Sequence, residues 1–246
     1  MKKIAMLTAL TALSFANAQE VVKQENPHNV YFGPVGFWQN FEVDANTMDD
    51  EDVEVEGKVK SNGYFGGAKI GYEHLKKDSI YFGVDGTFAA GRAKDELVST
   101  TEKEHRTALW GNAESRLGYN FGGDSFRISP FVGIGWDYYR PTTKVSLSFD
   151  WFYGTAGFKS TKAITDIFDL GLNAKAMYNF RPSVNADKIS VHGKGQSWGY
   201  ELGLPLTWHV DQAKNWDVQL EPYFAQLSTK LHDKQAGGRL MFNYKF

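Results

Sequence analysis

The chain has no cysteine. That absence removes disulfides, thiolate metal sites, thiol nucleophiles and acylation at a lipoprotein cysteine. Long apolar runs are missing too: beyond residue 18 nothing approaches the ~20 consecutive apolar residues of a membrane-spanning helix. Only 7 of the 246 residues are proline. No Pro- or Ser-rich linker interrupts the sequence and no repeat with a period of roughly 20–50 residues is visible, so one domain is expected after the leader. An excess of base is also absent, since 27 Lys and Arg stand against 29 Asp and Glu. No global basic field therefore exists for a nucleic acid. The histidines, His28, His74, His105, His192, His209 and His232, are scattered and show no paired metal-ligand spacing. Glycine-rich phrases such as FGGAKIG are not followed by a helix, which excludes a phosphate loop. No metal and no cofactor is expected.

Aromatic and glycine residues are what the chain has in abundance. Phe, Tyr and Trp make up 15% of it and 25 residues are glycine, at a mean hydropathy of −0.42. A disordered chain would hold far fewer large apolar side chains. At the N-terminus Lys2 and Lys3 precede an apolar stretch from Ile4 to Phe15 that closes on Ala16-Asn17-Ala18. A basic start, a short apolar centre and a small-residue cleavage site make residues 1–18 a signal peptide, with the exported chain over 19–246. Residues 42–57 carry Glu42, Asp44, Asp49, Asp50, Glu51, Asp52, Glu54 and Glu56 without a base. Like charges repel and stay solvated, so this segment reads as a long loop. It lacks the spaced ligands and turn glycine of an EF-hand, which argues against a calcium site.

The decisive signal is a period of two. Tyr64, Gly66, Ala68, Ile70 and Tyr72 alternate with Lys69 and Glu73; Ile80, Phe82, Val84, Gly86 and Phe88 with Tyr81, Asp85 and Thr87; Leu109, Gly111, Ala113, Leu117 and Tyr119 with Asn112, Glu114 and Arg116. Further on, Ile128, Pro130, Val132, Ile134, Trp136 and Tyr138 oppose Arg127, Ser129 and Asp137, and Val145, Leu147, Phe149, Trp151 and Tyr153 oppose Ser146, Ser148 and Asp150. Phe168, Leu170, Leu172, Ala174, Ala176 and Tyr178 oppose Asp169, Asn173 and Lys175. Trp198, Tyr200, Leu202, Leu204, Leu206 and Trp208 oppose Glu201, Thr207 and His209. Val218, Leu220, Pro222 and Phe224 oppose Gln219, Glu221 and Tyr223, and Leu240, Phe242, Tyr244 and Phe246 oppose Arg239, Asn243 and Lys245. With Val30 to Phe41 first, ten strands are expected. Short polar connectors near 76, 122, 159–165 and 213 alternate with longer loops near 44–61, 92–104, 181–196 and 229–236. This is the layout of an all-β, transmembrane antiparallel β-barrel with its short turns in the periplasm. An eight-stranded barrel, with 140–165 as one loop, is the alternative count.

A soluble β-sandwich also alternates, but it turns its charged face outward. Here the apolar face carries large aromatics on nearly every strand, and an export signal accompanies them. Trp198 and Trp208 lie ten residues apart, which at a 45° tilt is about 23 Å across a membrane and suits two interfacial girdles. Phe242, Tyr244 and Phe246 share one parity at the end of the sequence. That ending resembles the recognition signal read by the barrel-assembly machinery of bacterial outer membranes. The phrases VYFGP (30–34), FGGAKIGYEHLKKDSIYFGVDGTFAAG (65–91), ESRLGYNF (114–121), ISPFVGIGWDYY (128–139), DLGLNAKAMY (169–178), YELGLPLTWHV (200–210) and LEPYFAQ (220–226) cover much of the exported chain. Together they resemble the uncharacterised outer-membrane β-barrel proteins of chlamydia-like bacteria. The resemblance implies a barrel fold, a Gram-negative outer membrane, and lipid and assembly machinery as partners; it implies no established activity.

Parity sends Lys69, Arg116, Arg127, Lys175, Arg239 and Lys245 inward, together with Glu73, Asp85, Glu114, Asp137, Asp150, Asp169, Glu201 and Glu221. A barrel of this size is little wider than those whose side chains fill the interior. Buried ions must be paired, so a mutually neutralising lumen network is expected. The reading is a structural or surface-interaction barrel with a plugged interior, an extracellular or host ligand at the loops left open, and no enzyme. A narrow porin-like channel is the alternative. An omptin-like rim protease comes third, on Asp49-Asp50 and His232-Asp233, but both dipeptides are common and the chain is short for a tall extracellular extension. A membrane phospholipase would need a histidine on the apolar outer face, and none is found there.

Overall fold

The computed structural model describes residues 27–44, 58–97, 103–123, 125–142, 147–186, 189–192, 197–228 and 231–246. The expected signal peptide and Asp49-Asp50 lie outside them. The described strands are β1 (His28–Asp44), β2 (Lys58–His74), β3 (Ser79–Leu97), β4 (Lys103–Gly122), β5 (Phe126–Pro141), β6 (Leu147–Thr165), β7 (Phe168–Ala186), β8 (Ile189–His192), β9 (Ser197–Gly203), β10 (Leu206–His209), β11 (Trp216–Ser228) and β12 (Leu231–Lys245).

Strands β1 to β8, and again β10 to β12, pair antiparallel in sequence order, β12 returns to β1, where Phe242 faces Phe32, and β7 pairs with β9 and β10, so the sheet closes. β8, β9 and β10 are three pieces of a single stave along β7, which makes ten staves in all. The break between β9 and β10 falls at Leu204-Pro205, because proline has no N–H to give the ladder. The wall still holds there: Gly171 N donates to Pro205 O (2.7 Å) and Leu204 N to Pro222 O (3.0 Å). With β6 in place, the eight-strand alternative falls away.

Four short turns gather at one end. The β2–β3 turn places Asp78 at φ 48°, the β4–β5 turn places Gly122 at φ 84°, and the β10–β11 turn places Lys214 at φ 54°. In the last of these the side chain of Asp211 accepts Trp216 N–H (2.8 Å) and ties the two ends of the turn together. The β6–β7 turn corrects the sequence reading, because residues 159–165 belong to β6 and the turn itself is Asp166-Ile167. Strands likewise reach into the expected loops: β2 begins at Lys58, β3 runs to Leu97, β7 to Ala186 and β12 begins at Leu231.

The alternation sorts side chains between lipid and lumen. Ile70, Val84, Phe88, Leu117, Ile134 and Leu202 are exposed on the outside, with Tyr64, Phe180 and Trp198 toward the loop end and Trp208, Trp216 and Tyr244 toward the short-turn end. An apolar band between aromatic girdles results. Inward glycines make room for lumen rings. A Cβ on Gly71 would lie 2.3 Å from the Tyr31 ring, and one on Gly135 would lie 2.2 Å from that of Tyr153.

One strand turns the opposite way from the sequence reading. In β6 Phe149 (4% exposed), Trp151 (2%) and Tyr153 (2%) are buried in the lumen, whereas Phe152 is 60% exposed. Asp150 therefore lies on the outer side, opposite Tyr138, and leaves the expected lumen set. Aromatics occupy both parities of the upper half of β6, so that half does not decide its orientation. Its lower half does: Thr155 and Lys159 share the parity of Tyr153, while Ala156 and Phe158 share that of Phe152.

Candidate functional site: the filled lumen

The charged part of the lumen sits toward the short-turn end. Asp85 on β3 is held by Lys69 of β2 and Arg116 of β4, and accepts Tyr31 OH (3.2 Å). Arg116 also reaches Glu73 (3.6 Å) and Glu114 (3.7 Å). Glu73 binds Lys159 and accepts Tyr81 OH (2.8 Å). Glu114 takes Lys175 (2.5 Å) and Tyr153 OH (3.0 Å). Lys175 continues to Glu201 (3.3 Å), and Arg239 joins Glu201 (2.8 Å) to Glu221 (3.4 Å). Asn173 adds a further bond to Glu221 (2.8 Å). A continuous ionic chain thus runs from Lys69 to Glu221.

Four of these pairs join staves that are not neighbours: Arg116 to Glu73 and Arg239 to Glu201 each skip one stave, and two others reach further. Lys159 on β6 reaches Glu73 on β2, and Lys175 on β7 reaches Glu114 on β4. These last two cross the bore instead of running along its wall.

A separate cluster lies at the foot of the barrel. His209 meets Asp217 through Nδ1 (2.6 Å) and Asp169 through Nε2 (3.1 Å), and Lys245 bonds Asp217 (2.5 Å). Arg127 stands at the same end of β5, opposite Gly122 and Thr161.

Toward the loop end the filling is aromatic. Phe37 stacks on Phe65 (centroids 5.3 Å) and meets Trp110 edge-on (5.1 Å); Phe41 packs on Tyr139 and Phe149 (5.2 Å each). Offset and edge-to-face contacts of this kind add to the burial of the rings. Asp137 sits beneath them, bonded to Asn112 and Trp151. Asp233 is buried beside Gln39 and Gln235. A cavity of about 110 Å³ remains in the lumen, lined by charged residues such as Lys69, Glu73 and Arg239 and by aromatic ones such as Trp110 and Trp151.

Of the expected lumen set, Lys69, Glu73, Asp85, Glu114, Arg116, Lys175, Glu201, Glu221 and Arg239 come together in one network. Asp169 and Lys245 join the foot cluster, and Asp137 stands apart. Phe242, Tyr244 and Phe246 are exposed on the lipid side. Sequence reasoning missed Lys159, Asp217 and Asp233. Each has inward parity once its strand is read to full length. The dipeptide His232-Asp233 suggests a rim dyad, but the Asp233 carboxylate points into the lumen, where Gln39 and Gln235 bond it.

A family model described as outer membrane protein beta-barrel domain matches residues 5–246. The chain belongs to that family. Its place is the bacterial outer membrane, where the exposed apolar band meets lipid. The outer membrane protease OmpT from Escherichia coli superposes on this outer-membrane barrel with a TM-score of 0.56, over 93% of this chain and 99% of that one, at 8% identity. The transport unit of the autotransporter AIDA-I from Escherichia coli superposes with a TM-score of 0.50, over 98% and 97%, at 12% identity. Likeness at such identities shows the fold alone. No curated protein sequence matches this one. The finer resemblance to barrels of chlamydia-like bacteria gains no support from these comparisons.

Proposed function

We propose that this outer-membrane barrel is a structural or surface-interaction protein whose interior is closed, without a catalytic role. The observation that carries the reading is the pair of ionic links across the bore, Lys159 to Glu73 and Lys175 to Glu114. A conducting pore needs a continuous aqueous path. Here basic side chains from one wall end on acids of another, and aromatic rings fill the lumen above them. The short-turn end faces the periplasm and the loop end the exterior, which makes the loops the surface open to an extracellular or host ligand. Phe242 and Tyr244 on β12, with Phe246 just after it, are the row that the assembly machinery would read. The omptin-like reading has little to stand on, since Asp233 is buried and bonded to two glutamines.

Planar-bilayer recording of the refolded protein tests this directly. The closed barrel gives no sustained conductance above the bare membrane; steady, ion-selective current steps would replace the plug with a narrow channel.

A further inference from the structure

The outer face of the barrel is charged on one side only. Near the loop end Lys60, Arg92, Lys94, Arg140 and Lys234 share the lipid-side face of their strands, opposite Glu42, Tyr64, Asn62, Leu109 and Asn40 respectively. The acids described on that face are Glu42 and Asp150. On the far side of the barrel the same end of β7, β9 and β11 turns Tyr178, Phe180, Trp198, Tyr200 and Phe224 outward, and no charged side chain is described there. At the short-turn end the outward positions include Trp208, Trp216 and Tyr244. The bases therefore form a patch over β2–β5, with Lys234 at its flank, and not a belt around the barrel.

Arg92 and Arg140 stand on either side of β4. Arg92 faces Thr107 and Arg140 faces Leu109, so the stave between them offers one small polar and one apolar side chain. At the ordinary strand spacing β3 and β5 lie about 10 Å apart. Both arginines are exposed, whereas Arg116 and Arg239 spend their guanidinium groups on lumen acids. Lys94 lies two residues beyond Arg92, and Lys60 is diagonal to Lys94 on β2. Lys60 meets Glu42 at 3.4 Å while its side chain stays 46% exposed. Asp150 faces Tyr138 and so lies on the β6 side of Arg140, away from β4.

Like charges on neighbouring staves repel, and an anion seated among them removes that cost. The position of the patch narrows the choice of anion. Exposed Tyr64 is paired with Arg92, and Phe88, two outward positions nearer the apolar band, is exposed as well. Aromatic girdles mark the level of lipid headgroups, where clustered bases meet phosphate. The planar fork of arginine suits phosphate oxygens in pairs. We propose that the outer face of β2–β5 holds a lipid headgroup bearing two phosphates, one clamped between Arg92 and Arg140 over β4 and the other met by Lys94 and Lys60. A headgroup with a single phosphate engages one of these pairs and leaves the other idle. With the loop end facing the exterior, as proposed above, this lipid belongs to the outer leaflet.

The test uses the full barrel refolded in detergent micelles, with bound lipid counted by native mass spectrometry. The probes are lipid A, an acylated glucosamine disaccharide with two phosphates, the same lipid stripped of its phosphates, and phosphatidylglycerol. A single lipid A is expected to stay bound at concentrations about tenfold below those needed for either of the other two. Arg92→Gln combined with Arg140→Gln should weaken lipid A binding about tenfold or more, as loss of charged hydrogen bonds implies. Both positions are exposed, so this variant should keep the compact gel form. Lys76→Gln with Lys77→Gln, two exposed bases in the β2–β3 turn at the other end, should bind as wild type does. Equal retention of the dephosphorylated lipid or of phosphatidylglycerol, wild-type affinity in the arginine variant, or an equal loss in the lysine variant would overturn the site. Binding in micelles depends on neither conductance nor the orientation of the barrel in a membrane, so the closed-barrel reading stands or falls separately.

Discussion

Toward the short-turn end of the lumen, Asp85, Glu73, Glu114, Glu201 and Glu221 each lie within reach of a lysine or arginine, and two of those bases, Lys159 and Lys175, come from four and three staves away. Toward the loop end, Phe37, Phe41, Phe65, Tyr139, Phe149 and Trp151 fill a similar bore with apolar surface, and the two acids beside them meet only neutral donors. The two fillings differ in what they fix. An ion pair ties one named side chain to another and is costly to leave half-made, so it pins staves in register across the bore. Aromatic packing is less directional and tolerates small gaps. The cavity is lined by residues of both fillings.

The largest effect should come from removing a shared base. Arg116→Ala leaves Asp85 with Lys69 as its one base and removes the guanidinium from Glu73 and Glu114, in a site where Arg116 is 7% exposed. Loss of one partner of a buried pair costs about 3–5 kcal/mol. The expected outcome is loss of the compact, fast-migrating gel form at a markedly lower temperature, with partial rescue by Asp85→Asn. If the substitution changed ion selectivity and left stability alone, the charged half would be water-filled and the contrast between the halves would fail.

Phe41→Ala probes the other filling. Its ring is 1% exposed and packs on Tyr139, Phe149 and Trp151. Truncation of such a ring costs about 3 kcal/mol from lost burial and the space left behind. No neutralising second substitution should rescue it, which is the difference from Arg116. Measured by the same gel shift, a Phe41→Ala protein as stable as wild type would mean that the aromatic end is not a packed plug.

A smaller and sharper quantity is the coupling between Lys159 and Glu73. A cycle of Lys159→Met, Glu73→Gln and the double variant should return about 1–3 kcal/mol of interaction, the range for residues in one ion-pair network. A coupling near zero would place the two side chains apart in solution and remove the link across the bore.

The face of each residue was legible in the sequence on nearly every strand, because lipid demands apolar side chains at every second position and any charge must turn inward. Which acid meets which base was not legible. Parity gives a face but neither depth nor direction around the barrel, so Lys159 could not be matched to Glu73 from spacing alone. The loop end was the least legible part. Above the lipid band the outer face need not be apolar and the lumen need not be polar, so the rule that orders the lower strands loses its force. Phe149, Trp151 and Tyr153 were set on the wrong side for that reason, and Trp110 went unremarked among the small residues of β4.

Asp150 turns that error into the smallest and most discriminating measurement. Were it a lumen acid, its neutralisation would break up a buried network and shift stability by several kcal/mol in either direction, depending on whether a base were stranded. It lies on the outer side of β6, opposite Tyr138 and next to the 60%-exposed Phe152, and pairs on an outer face contribute about 0–1 kcal/mol. Asp150→Asn should therefore move the gel-shift temperature by no more than a degree or two, a shift of the order that surface substitutions produce. Asp85→Asn in the wild-type background strands Lys69 and Arg116 and should move it much further. Equal responses at the two positions would restore Asp150 to the lumen and reverse the assigned face of β6; a clear separation fixes that strand's orientation without a further structure.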